Sequence, residues 1–157
     1  MKQEMIGQKK PFVQREKHMN GEIIEIPANE LVRCRSFWDM PEDITSDRLY
    51  GLVKNNIRRA FVFKTEDGYV GGCALFVRGD GNGHLSYFNV APGYRRQGIG
   101  SLLIDFAEQY FKSQGVTVFG LNVMKDNTDA IRLYVRKGFK YAFDKTPEKI
   151  YMTKELI

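Results

Sequence analysis

The sequence predicts an α/β domain in which one mixed sheet carries helices packed on it. Three observations predict this. Runs of period-two and helical-period apolar residues alternate along the chain. Turn residues separate three consecutive strand-like runs, the pattern of a meander. A long amphipathic helix then joins two β-rich segments, as the crossover between parallel strands requires. The chain has 157 residues, of which 43% are hydrophobic and 27% charged, so it can bury a core of its own and does not resemble a disordered chain. Residues 1–20 read as a flexible basic arm and residues 21–157 as one domain.

The elements follow in order. EIIEIP, after Gly21, reads as a first strand, and ANELVRCRSFW as a helical or irregular stretch. Thr45, Ser46 and Asp47 offer caps for a helix through RLYGLVKNN, with Leu49, Leu52 and Val53 on one face. AFVFKT (60–65) is β-rich, Asp67-Gly68 supplies a tight hairpin turn, and YVGGCALFV (69–77) returns as its antiparallel partner. GDGNG (79–83) is a turn, and HLSYFNV (84–90) the third strand of the meander.

After Gly98 the period changes. Ile99, Leu102, Leu103, Phe106, Tyr110 and Phe111 recur at helical spacing, and Gly115 fits a C-terminal cap. VTVFGLNV (116–123) is a strand and NTDAIRLYVRKG a short helix ending at Gly138. FKYAF and KIYMTKELI read as two terminal strands about a turn at Thr146-Pro147.

Composition excludes several functions. No run approaches the roughly 20 apolar residues of a membrane span. The basic start lacks the apolar core of a secretion signal, and Glu4 and Glu16 interrupt any presequence, so a cytoplasmic location is expected. Cys34, Cys73, His18 and His84 lack metal-ligand spacing, and no metal is expected. The net charge of +5 and pI near 9.2 suit an anionic ligand. Much of that charge, however, sits in the arm at Lys2, Lys9, Lys10, Arg15 and Lys17, where a solvated tail explains it. No helix-turn-helix, zinc or aromatic-basic RNA pattern accompanies it, so no nucleic-acid partner is expected.

The junction VAPGYRRQGIG (90–100) holds the densest chemistry. Gly93 and Gly98 have the spacing of a P-loop, but Ile99 and Gly100 stand where lysine and a hydroxyl are needed. A dinucleotide fingerprint needs a third glycine where the chain has Leu103. What remains still suits an anion. Gly98 and Gly100 open the backbone to close approach, and the amides from Gln97 to Ser101 would converge at a helix start. Arg95 and Arg96 add directional charge. A plain turn into a helix, with solvated arginines, explains the same residues.

Arg95-Arg96-Gln97-Gly98-Ile99-Gly100 resembles the acyl-coenzyme A loop of the GNAT superfamily of N-acetyltransferases. FNVAP (88–92) resembles the strand and turn that enter that loop, and Ser101-Leu102-Leu103 the helix that leaves it. NVMKDNTDAIRLYVRKGF (122–139) is similar to the family's later motif. The likeness is strong from Tyr69 to Phe139. It implies the single-domain acyl-CoA N-acyltransferase fold, with an antiparallel meander, splayed parallel strands and flanking helices. It also implies transfer of acetyl from acetyl-CoA, as cosubstrate, to a primary amine of a small molecule or peptide.

The resemblance assigns residues as well. The cofactor's pyrophosphate would rest on Gln97, Gly98, Ile99, Gly100 and Ser101, beside Arg95 and Arg96. Its pantetheine arm would pair with the backbone of Phe88, Asn89 and Val90. Tyr134 would be the general acid to the thiolate and lie beside the cofactor; by spacing alone it is a packing tyrosine. Asn122 and Asn127 would contact the cofactor, although a strand end explains Asn122, and Asn127 or Asp126 could cap the helix. Arg132, Arg136 and Lys137 could meet the ribose phosphate or simply cover the helix's wet face.

HLSYFNV lacks the glutamate that many relatives use as base. His84 is one alternative, and water relayed through Ser86 or Tyr87 is another. The acceptor would lie against WDMPEDITSD, where Asp39, Glu42, Asp43 and Asp47 suit a cationic amine and Phe37 and Trp38 could line it. A dipole-favoured helix start explains the same carboxylates. A competing function is an acyl-CoA-binding or regulatory domain that has lost transfer. Either a monomer or a homodimer fits.

Overall fold

The computed structural model describes residues 20–27, 30–31 and 58–157. The basic arm up to residue 19, the helix expected from Thr45, and the acidic segment from Trp38 to Asp47 lie outside the described residues. Described elements are β1 (Glu22–Ile26), β2 (Arg59–Thr65), β3 (Gly68–Val77), β4 (Gly83–Val90), α1 (Ile99–Ser113), β5 (Val118–Met124), α2 (Thr128–Arg136), β6 (Lys140–Asp144) and β7 (Lys149–Glu155).

The strands form a seven-stranded sheet in the order β1-β2-β3-β4-β5-β7-β6. β4 and β5, joined through α1, pair parallel, whereas β1–β2, β5–β7 and β6–β7 pair antiparallel. The sheet is therefore mixed, as expected. One turn sits a residue earlier than the pattern suggests. Glu66 and Asp67 make it, and Gly68 opens β3 at φ 108°, a left-handed position that glycine tolerates. Among the described residues no helix is long and apolar enough to cross a membrane.

The described residues group into two compact units: those up to Ala74 with Tyr87–Leu103, and Leu75–Ser86 with Ile104–Ile157. In the first, Ile26, Leu31, Ala60, Val62 and Ala74 form a buried cluster, with Ile24, Tyr69, Tyr87 and Ala91 packed against it. β3 runs buried from Val70 to Ala74, as a strand covered on both faces does. Two glycines allow that packing. A Cβ on Gly72 would stand 2.9 Å from the Phe61 carbonyl oxygen, and one on Gly71 would stand 3.2 Å from Ile99 Cγ2. Gly71 thus lets the first turn of α1 settle against β3.

The second unit is built on aromatic rings. Phe119 of β5 packs against Phe111 of α1 at 5.0 Å between centroids and against Phe139 at 5.1 Å. Phe139 in turn meets Tyr134 of α2 at 5.8 Å. Ion pairs bind the helices at the edges of this layer: Lys137 with Asp105 at 2.7 Å, and Lys154 with Glu108 at 2.7 Å. Gly120, the next residue of β5, points to the other face. A Cβ there would stand 2.5 Å from Tyr151 Cζ.

Gly72→Ala is expected to destabilise the protein by roughly 1–3 kcal/mol, because the added methyl meets backbone rather than a movable side chain. Urea unfolding of the two proteins checks this; equal midpoints would show that β2 and β3 can separate to accommodate it.

Candidate active site

β4 ends at Val90, which is 8% exposed, and its backbone polar groups are met by side chains. The Val90 N–H donates to Asn89 Oδ1 at 2.8 Å. Its carbonyl accepts from Arg95 Nε at 2.6 Å, and Arg95 Nη2 also donates to Asn89 Oδ1 at 3.1 Å. Three candidate cofactor residues are thereby joined directly. The next residues form a tight corner. Ala91 N–H donates to the Val70 carbonyl at 2.8 Å and Tyr94 N–H to the Ala91 carbonyl at 3.0 Å. The Tyr94 hydroxyl donates to Asp67 Oδ2 at 2.7 Å, and that bond to a carboxylate raises the phenol's pKa.

Beyond the corner the backbone alternates in hand. Arg96 has φ 63° and Gly98 φ 93°, whereas Gln97 between them does not take positive φ. A left-handed arginine costs roughly 1–2 kcal/mol, so the surrounding bonds have to hold it there. Alternation of this kind turns neighbouring N–H groups toward one side, which makes a concave anion site. Ile99 is fully buried at the helix start, and Leu102 N–H donates to the Gly98 carbonyl at 3.0 Å to begin the ladder. The first turn of α1 carries no acidic residue, so nothing there competes with an anion for the dipole. Gln97 Nε2 reaches the Gly93 carbonyl at 3.4 Å, while Gly100 and Ser101 lie half-buried in the first turn.

Arg95 is the point of difference in this loop. Its sequence position beside Arg96 suggests charge offered to a ligand, yet its Nε and Nη2 point back to β4. The tie between Tyr94 and Asp67 is also absent from the sequence pattern, because 27 residues separate its partners. Phe88 and Asn89 are half-buried along the same stretch of β4. Tyr87, just before them, has φ 48°, and the Arg58 guanidinium lies 5.7 Å above its ring.

The remaining candidates belong to the second unit. The parallel register of β4 with β5 runs Gly83↔Phe119 and His84↔Gly120 and goes no further. His84 shares a face with Gly120, and its ring lies stacked 6.1 Å from Tyr151 and edge-on 5.5 Å from Phe76. These contacts place it by aromatic packing. Tyr151, stacked on Phe143 at 5.1 Å, has its hydroxyl 3.3 Å from Arg78 Nη1. Burial pushes the Tyr151 pKa up, and the Arg78 charge opposes that shift. The sequence pattern did not single out Arg78, which directly follows β3, or Tyr151, whose only signal was its place in a strand-like run. Asn122 is exposed and pairs with Tyr151 across β5 and β7.

Asn127, rather than Asp126, caps α2: its Oδ1 accepts from Ala130 N at 3.2 Å. Of the nearby cations, Arg132 pairs with Asp129 on its own helix, and Lys137 leaves the wet face to pair with Asp105. Tyr134 is 5% exposed, and burial alone raises its pKa well above the ordinary phenol value. The phenol is therefore protonated at neutral pH. Because Phe119 and Gly120 face opposite ways, Tyr134 and His84 approach β5 from opposite faces.

The acetyltransferase (GNAT) family matches residues 24–139. Streptothricin acetyltransferase of Streptomyces lavendulae is 34% identical over 121 residues, covering 74% of this chain; the chain spans 61% of the length of that curated relative. Two solved structures share the fold at lower identity. The PaiA N-acetyltransferase of Thermoplasma acidophilum, solved with coenzyme A, aligns at TM-score 0.72 and 19% identity over 87% of this chain and 99% of its own. Ard1 of Thermoplasma volcanium aligns at TM-score 0.73 and 20% identity over 87% and 98%. With a family match across most of its length, and with strand order, parallel crossover and loop as described, the chain belongs to the acetyltransferase (GNAT) family.

Proposed function

We propose that this protein is an acetyl-CoA-dependent N-acetyltransferase acting on a primary amine of a small cationic molecule. The observation that carries this function is the pair of left-handed residues, Arg96 and Gly98, leading into a helix whose first turn has no carboxylate. Amides of Gln97, Gly98, Ile99, Gly100 and Ser101 bind the pyrophosphate, with Arg96 supplying charge. The backbone of Phe88 and Asn89 takes the pantetheine arm in the manner of an added strand, and Val90, whose N–H and carbonyl are bonded to Asn89 and Arg95, marks where that pairing ends. Asn122 and Asn127 complete the cofactor contacts, the latter while also capping α2.

In the transfer, the amine nitrogen bonds to the thioester carbonyl carbon and the carbon–sulfur bond breaks. Tyr134 gives its phenolic proton to the departing sulfur. Burial leaves the phenol in the protonated form that a donor needs, while making it a weaker acid than a free tyrosine. His84 accepts the proton that the amine loses through an intervening water, because it approaches β5 from the face opposite Tyr134. Likeness to a streptothricin acetyltransferase supports a small-molecule acceptor, and the acidic run Asp39, Glu42, Asp43 and Asp47 supports a cationic one.

The direct test incubates the protein with acetyl-CoA and streptothricin, a polyamine, an aminoglycoside or a peptide, and follows release of free thiol. Release with streptothricin is expected. Cofactor binding without turnover on any amine would identify a binding domain, and absence of affinity for acetyl-CoA would reject the function. Tyr134→Phe is expected to lower turnover roughly 10²–10⁴-fold while acetyl-CoA still binds. Gly98→Ala places a Cβ at φ 93°, a strain of roughly 1–2 kcal/mol, so calorimetry should show acetyl-CoA affinity weakened about tenfold.

The buried phenol also has a stability signature. Its folded-state pKa lies above the unfolded value of about 10, so its contribution is complete below about pH 10 and is lost as pH rises toward the folded value. Cys73, pushed up to about 12 by burial, acts with the same sign from about pH 9 upward. Urea midpoints should therefore fall between pH 9 and 11, and fall less in Tyr134→Phe. An identical decline in the variant would place the phenol in water.

A further inference from the structure

We propose that Arg95 is a positioning residue, which ties the end of β4 to the start of the loop and holds acetyl-CoA's two backbone surfaces in place without touching the cofactor. The cofactor part of this inference rests on the function proposed above. Two guanidinium nitrogens of Arg95 are engaged with the strand: Nε with the Val90 carbonyl at 2.6 Å and Nη2 with Asn89 Oδ1 at 3.1 Å. The same Asn89 oxygen accepts the Val90 N–H at 2.8 Å. Both backbone polar groups of Val90 are thus satisfied by side chains, through a ring that closes over the four residues between Val90 and Arg95.

Geometry favours a tie over a ligand contact. An arginine recruited for its charge presents its fork to the anion. Here the fork spans a neutral carbonyl and a neutral amide on the strand. The other fastenings of the corner hold different points: Ala91 to Val70 of β3, and Tyr94 to Asp67 of the β2–β3 turn. Neither of them joins β4 to the residue that precedes left-handed Arg96. Arg95 makes that join, so the backbone at Phe88–Val90 and the amides from Gln97 onward keep a fixed separation.

Lysine cannot make this join, because its single ammonium carries the charge without the planar fork. Arg95→Lys and Arg95→Gln are compared with the wild type in three measurements. In the ligand-free protein, hydrogen exchange of the peptide spanning Asn89–Ala91 is expected to accelerate in both variants; unchanged exchange would overturn the proposal. Affinity for acetyl-CoA is expected to fall about tenfold to a hundredfold in Arg95→Lys, and affinity for acetylpantetheine, which has no phosphate, by the same factor. The salt dependence of acetyl-CoA binding should keep its wild-type slope.

An Arg95→Lys variant that keeps its acetyl-CoA affinity, or variants that lose acetyl-CoA while acetylpantetheine binds as before, would place Arg95 on the pyrophosphate and overturn the proposal. The thermal midpoint is expected to fall by only a few degrees and the KM for the amine to stay at its wild-type value, which separates positioning from general destabilisation. Were the wild-type chain to bind no acetyl-CoA, that failure would belong to the proposed function. The exchange comparison would still support or overturn the Arg95 tie.

Discussion

Where β4 ends, the amide and carbonyl of nearly buried Val90 are met by side chains, Asn89 taking the amide and Arg95 the carbonyl. A buried peptide group left without partners is costly, so those two side chains hold the corner in this conformation. Its other features depend on it. With Val90 held, the backbone can turn through Ala91–Tyr94, carry Arg96 and Gly98 in left-handed conformations, and seat Ile99 as the buried first residue of α1. The Gly71 gap then matters, because it lets the Ile99 side chain lie within van der Waals contact of β3. Strain at Arg96 is tolerated because residues on both sides of it are fixed.

β5 imposes a second constraint through its two faces. On one, Phe119 continues an aromatic layer from Phe111 to Phe139 and Tyr134. On the other, Gly120 leaves space that Tyr151 fills, with His84 stacked beyond it. An apolar layer pushes the Tyr134 phenol's pKa up, whereas the opposite face carries Arg78, His84 and Tyr151 with their polar tips. Pleating alone thus gives one strand a dry face and a polar face.

Local patterns were legible in the sequence. The meander, the helix from Ile99, the glycine stops at Gly115 and Gly138, and the terminal pair of strands all follow from period and turn chemistry. The candidate loop was legible too, because glycine spacing before a helix is a local property. Less legible were contacts between distant residues. Nothing in the spacing of Asp67 and Tyr94 announces their bond, and nothing beside Lys137 announces Asp105. His84 reads as a lone titratable group at a strand start until Phe76 and Tyr151 are seen around it. Asn127 and Asp126 were equal candidates for the cap, and backbone geometry separated them.

The sequence by itself determined the order of the described strands and helices, the place of the glycine-arginine loop and the family motifs. Each of these is written in neighbouring residues and their periodicity. Tertiary structure decided where the side chains point: Arg95 back to β4, Arg96 into a left-handed position, Tyr134 into an apolar layer and His84 onto the opposite face of β5. Direction depends on which partner satisfies each polar group and on which face of a strand is filled. Those partners come from residues far apart in the chain, so no local pattern can specify them.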